Sequence, residues 1–206
     1  MKIKLSFHGC IYGGKTSTLE ILEAHNYIQV VSAERVEIGF NVGIRRIIKV
    51  KFLKNKELLA ELKNCEIELS LVSGDIFELD NVFDFLIKSC NGIMFFFTIE
   101  EKWRREQSYK HSFTSGEYLW NHLVKNFFRY HSCKLETFPL VFCYNQVDLI
   151  GDKEIDQSTL RDPEAMNEEI NTYGFPYFAT SALKRENIFE AFEKLLELIL
   201  EKQQLL

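Results

Sequence analysis

Residues 2–8 alternate polar and apolar, with Ile3, Leu5 and Phe7 on one face, and predict a β-strand. Residues 15–25 place Leu19 and Leu22 at helical spacing and predict a helix. Residues 44–53 read as a strand, and so do 65–72, where Ile67, Leu69 and Leu71 alternate with Glu and Ser. Between them, 54–64 is a polar connector with room for a short helix. Asp75 and Glu78 form a capping-box pattern, followed by Ile76, Leu79, Phe83 and Leu86 on one helical face. Residues 92–99 are almost wholly apolar, which suits a central strand covered on both sides. A helix is predicted over 116–131, strands over 139–145 and 175–180, and a last helix from Asn187, with Ile188, Phe192, Leu195 and Ile199 inward. Strands alternating with helices predict an α/β fold, with a mostly parallel central sheet and helices on both faces.

Composition changes this picture little. The 206 residues suit one domain, 1–206, and no linker divides them. Only Pro139, Pro163 and Pro176 interrupt the chain, and the spare length falls around 54–64, 100–117 and 151–165, read as surface insertions. Eighteen Phe argue against disorder. A net charge of −5 weighs against nucleic acid as a partner. The longest apolar run is far short of a membrane span. Neither a secretory leader, a myristoylation glycine at Lys2 nor a prenylation box at the end is expected, so no direct membrane anchor is predicted. Five scattered Cys without a C-x-x-C pair read as reduced thiols of a cytoplasmic protein.

The chemistry begins at residues 9–16, GCIYGGKT, which fit G-x-x-x-x-G-K-[ST] between a predicted strand and a predicted helix. Backbone N–H groups of such a loop converge on phosphate oxygens, and glycines permit the close approach. Lys15 supplies charge to the β- and γ-phosphates, and the Thr16 hydroxyl is the candidate ligand of Mg²⁺. A chance match in a chain of this length is on the order of one in a hundred, before the strand–loop–helix context is required.

The base needs its own reader. Asn145, Gln146 and Asp148 follow the strand 139–144, at the strand end where open α/β sheets bind ligands. A single carboxylate can accept from both guanine N1–H and the exocyclic amine, a donor pair that adenine lacks. Thr180, Ser181 and Ala182 follow the next strand and can offer backbone N–H groups to the base oxygen. In isolation N-x-x-D is equally a pair of turn formers. The ordered series of phosphate loop, S-G-D turn, N-Q-V-D and T-S-A, each ending a strand, is far more specific.

On these motifs the chain resembles the Ras-like small GTPases, and among them the bacterial MglA-type polarity GTPases. The second likeness rests on residues 9–19, 70–75 and 139–149, and the resemblance is thinnest over 26–64 and 100–117. It implies a P-loop G domain that binds GTP and GDP with Mg²⁺ and acts as a molecular switch. It also implies a roadblock-type regulator or another effector protein as partner. The nucleotide contacts it implies are Gly9, Tyr12, Gly13, Gly14, Lys15, Thr16, Ser17, Gly74, Asn145, Gln146, Asp148, Ser181, Ala182 and Leu183.

Several positions depart from the family pattern. D-x-x-G reads Leu71, Val72, Ser73, Gly74, and leucine cannot anchor a water of the Mg²⁺ shell. The glutamine that orients the attacking water is Asp75, whose simpler role is helix N-cap. No threonine lies between Thr18 and Thr98, so the switch threonine has no counterpart, and Arg46 stands near its position. Arg45 has two readings, an arginine finger supplied in cis, as MglA-like relatives carry, or a solvated charge on an edge strand. Ile11 replaces a loop glycine, and Gln146 replaces the usual lysine. Binding parts are kept while hydrolytic parts change. That predicts a switch with slow or partner-assisted GTP hydrolysis, Arg45 and Asp75 being the candidate catalytic residues. The alternative is a pseudo-GTPase working as a scaffold. A small-metabolite kinase is a weaker rival, because the strand 93–99 ends without Asp and no arginine-rich lid is evident.

Overall fold

A computed structural model describes residues 2–10, 12–39, 41–73, 79–100 and 116–204. Seven strands form one sheet: β1 (Lys2–Gly9), β2 (Ile28–Ile38), β3 (Asn41–Val50), β4 (Glu66–Ser73), β5 (Gly92–Thr98), β6 (Leu140–Asn145) and β7 (Tyr177–Thr180). Their spatial order is β2-β3-β4-β1-β5-β6-β7. The strands β4, β1, β5, β6 and β7 run parallel, while β3 is antiparallel to β4 and β2 antiparallel to β3. Among the described residues there are six α-helices: α1 (Lys15–Ala24), α2 (Lys56–Leu62), α3 (Leu79–Leu86), α4 (Gly116–Asn126), α5 (Pro163–Ile170) and α6 (Ile188–Gln204).

Strand alternation sorts the core into two layers. Met94 and Phe96 of β5 join Ile3, Leu5 and Phe7 of β1 on the face covered by α1, α2 and α6. Ile93, Phe95 and Phe97 face the other way, toward α3, α4 and α5. The almost wholly apolar β5 is thus two half-strands, each buried by a different helix layer. On the second face the Phe surplus becomes a ring network: Phe97 stands edge-on to Phe142 at 5.4 Å, and Trp120 stands edge-on to Phe142 at 4.9 Å. Edge-to-face pairs of this kind add to the area they bury.

Two elements were not expected from the sequence. Strand β2 gives no period-2 signal because most of it is exposed and a register shift interrupts it between Val30 and Ser32. Helix α5 falls partly in a stretch read as insertion. Asp162 caps it through Glu164 N–H and Pro163 occupies its first turn, both ordinary start signals. The helix expected to reach residue 131 ends at Asn126 and continues as a 3-10 turn over Phe127–Arg129. Strand β3 starts three residues earlier than expected. The capping box at Asp75 and Glu78 lies outside the described residues.

Candidate nucleotide site

At the carboxyl end of β1 the chain must turn sharply into α1. Gly9 has φ 127° and Gly14 has φ 88°. A Cβ on Gly9 would lie 2.1 Å from the Phe96 carbonyl oxygen, so only glycine fits beside β5. The loop is pinned there by Cys10 N–H donating to Phe96 O at 3.1 Å. Tyr12, with φ 58°, projects from the loop and is exposed.

Lys15 opens α1 and is buried. Its ammonium donates to the Gly9 and Cys10 carbonyls at 3.0 and 2.6 Å. Burial lowers its pKa to about 8, partly offset by Cys10. This desolvated cation sits beside Thr16 and Ser17 in the wall of a cavity of about 930 Å³. Tyr12, Gly14, Asn145, Gln146, Asp148, Ala182 and Leu183 line the same cavity. Its volume lies in the range of pockets that enclose a ligand of nucleotide size.

The second wall is joined to the first through Asn145. A Cβ on Gly14 would lie 2.1 Å from Asn145 Nδ2, so the amide rests directly on the phosphate loop. Asn145 Oδ1 accepts from Thr180 Oγ1 at 3.3 Å and from Ala182 N–H at 3.2 Å. Ser181 Oγ donates to Asp148 Oδ1 at 2.5 Å and accepts from Lys184 N–H at 2.9 Å. This fixes one carboxylate oxygen of Asp148 at the cavity wall. Gln146 adopts φ 74°, and its amide oxygen accepts from the Thr98 hydroxyl. The Ala182 N–H, expected to face a base oxygen, is committed to Asn145 instead.

Other expected residues stand elsewhere. Arg45 does not line this cavity. On β3 it lies opposite Glu34 and Ser70, the latter three residues below the end of β4. Its guanidinium is 2.6 Å from Glu34 Oε1 and 3.2 Å from Glu68 Oε1, and its Cζ lies 5.3 Å from the Phe85 ring centroid. Arg46 reaches Glu23 of α1 at 3.6 Å. Leu71 is buried in the core, and Val72 reaches the cavity. Gly74, Asp75 and Ile11 lie outside the described residues. Gly13 N–H donates to Cys10 O at 3.2 Å.

Sequence reasoning missed Glu20, Ile21, Ala24 and His25, which also line the cavity. With Ser17 they fall at helical spacing along one face of α1, a signal available in the sequence. Arg185, from the loop after β7, is also at the rim.

Among the described residues no three His, Cys, Asp or Glu converge on a metal site. A hydroxyl on a helix N-terminus beside a buried lysine fits Mg²⁺ carried in with phosphates, since Mg²⁺ keeps waters and takes few protein ligands.

The sequence matches the Ras family over residues 77–201, more than half of the chain. The chain belongs to the Ras family. Members of this family are small GTPases that bind GTP and GDP, generally with Mg²⁺, and act as nucleotide-dependent switches. The matched span of this Ras-family chain holds the second cavity wall, Asn145 to Leu183, while the G-x-x-x-x-G-K-[ST] loop lies before it and stands on its own motif and geometry. No curated protein matches the chain. No helix among the described residues is long and apolar enough to cross a membrane.

Proposed function

We propose that this chain is a single-domain, cytoplasmic guanine-nucleotide switch of the MglA-like kind, with slow or partner-assisted hydrolysis. The observation that carries the reading is the joint cavity wall: buried Lys15 on one side, Asp148 fixed by Ser181 on the other, and Asn145 between them. Lys15 exchanges the Gly9 and Cys10 carbonyls for phosphate oxygens, which restore the solvation its ammonium lacks. Loop N–H groups and the α1 N-terminus add to the same attraction. The free oxygen of Asp148 accepts from guanine and discriminates against adenine. The Gln146 stem covers the base. Mg²⁺, held by Thr16 and the phosphates, supplies charge neutralisation there.

Arg45 acts on a transition state only after leaving Glu34 and Glu68, which makes release by a partner of roadblock type the step that starts turnover. The same ion pairs support a second reading, a pseudo-GTPase whose bound nucleotide is structural. Nucleotide released from purified protein is expected to be GDP or GTP. Chelating Mg²⁺ should speed its exchange. Single-turnover hydrolysis separates the readings: measurable release of phosphate supports the switch, and GTP retained intact through repeated incubations supports the scaffold. Equal affinity for ATP and GTP would overturn both.

A further inference from the structure

The outer edge of β2 is the longest unpaired backbone in the described sheet. The strand spans eleven residues and, among the described residues, pairs only with β3. Ser32–Arg35 and Glu37 are exposed. Sheet edges are normally blunted by charged side chains, Pro or bulges; residues 28–38 contain no Lys or Pro, and the edge carries the charges Glu34, Arg35 and Glu37. The single irregularity, between Val30 and Ser32, leaves 32–38 in regular register with β3.

The charges on this edge are self-complementary in one register. Glu34 is tied across to Arg45, on the face toward Phe85. Arg35 and Glu37 alternate onto the opposite face, are exposed, and make no ion pair among the described residues. A second copy approaching antiparallel, about a two-fold axis normal to the sheet, keeps each face continuous. Directly opposed residues must then share a face. Centring the axis on Glu34, Arg35 or Glu37 opposes like charges. Centring it on Ala33 or Ser32 forces the irregular Val31 into the ladder. Centring it on Val36 places Arg35 opposite Glu37 of the second copy, twice by symmetry, with Val36 opposite itself.

We propose that β2 is a homodimer interface, pairing residues 34–38 of two copies in the register centred on Val36 into one continuous fourteen-stranded sheet. The occupant is a second copy because the charge pattern satisfies itself. This interface is independent of the nucleotide reading, so either can fail alone.

Sedimentation velocity on the full chain over a concentration series tests it. The wild type should show a reversible dimer. Arg35→Glu opposes two Glu pairs and should weaken association by roughly tenfold or more. Glu37→Arg should do the same, and the double variant Arg35→Glu/Glu37→Arg should restore it. Unchanged thermal melting of each variant shows that the fold is intact. In a Cys133→Ser background, Val36→Cys should form a disulfide-linked dimer under mild oxidation, and Ala33→Cys should not. A wild type that stays monomeric, a dimer indifferent to Arg35→Glu, a charge swap that does not rescue, or equal cross-linking at Ala33 overturns the proposal. So does an edge that pairs only with an added extended peptide.

Discussion

The cavity rim and the β2–β3–β4 side of the sheet are built on different principles. Beside the carboxyl ends of β1, β6 and β7, polar groups are buried at or just behind a cavity wall: Lys15, Asn145 and Ser181 are all buried yet each is anchored by hydrogen bonds. At the β2–β3–β4 end, charges lie along the sheet surface and satisfy one another. Glu68 sits between Lys2 at 3.0 Å and Arg45 at 3.2 Å, and Glu34 closes the row. The first end holds unspent electrostatic attraction for a ligand. The second has already consumed its own on the face that carries Arg45. A Ras-family chain can therefore keep a nucleotide pocket while the residues nearest its hydrolytic motifs serve the sheet.

The comparison breaks most completely at Lys15. Lys15→Ala should weaken binding of a fluorescent GDP analogue by on the order of 100-fold or more, because it removes the buried cation that phosphate re-solvates. Melting of the variant without nucleotide should change little or rise, since burial opposes that charge in the empty cavity. Next in size is Asp148→Asn. Guanine affinity should fall by roughly 100-fold and xanthine nucleotides should gain, as competition titrations would reveal.

His8 sharpens the contrast, because it is buried behind the phosphate loop with neither ring nitrogen hydrogen-bonded among the described residues. It stands edge-on to Phe83 and Phe95 at 4.7 and 5.1 Å. Burial first, then the Lys15 charge, pushes its pKa down to about 3. The unfolded chain, at the ordinary value near 6.5, then binds more protons between those limits, so stability rises with pH across that window and is lost on acidification. His8→Phe should flatten that limb in a pH series of melts. It should also stabilise the protein at neutral pH by about 1–3 kcal/mol, by removing unsatisfied polar atoms.

Arg45→Ala is the smallest expected effect. It should lower stability by about 1 kcal/mol, the scale of a half-exposed ion pair, and leave intrinsic single-turnover hydrolysis unchanged. A tenfold drop in turnover without partner would instead give Arg45 a direct role at the phosphates.

The pocket was the more legible in sequence for the same physical reason that suits it to a ligand. Left-handed turns at Gly9 and Gly14, and a carboxylate two residues beyond the Gln146 turn, demand particular residue types, so the motif is written in the letters. The arrangement of β2 was not legible, since an exposed edge strand imposes no alternation. Arg45 was ambiguous because a charge in a strand does not say which neighbour takes it, and here Glu34 and Glu68 lie within reach only once the β2–β3–β4 register is set. The cavity wall contributed by Glu20, Ile21 and His25 was not legible because a mostly polar helix face reads equally as one turned to solvent.

One contact gives the pocket a mechanical property. The Asn145 amide touches Gly14 and also holds Thr180 and Ala182. In the proposed site, the phosphate-loop wall and the wall after β7 are therefore hinged on a single side chain. A displacement of the loop after β7 would then be felt at both walls together.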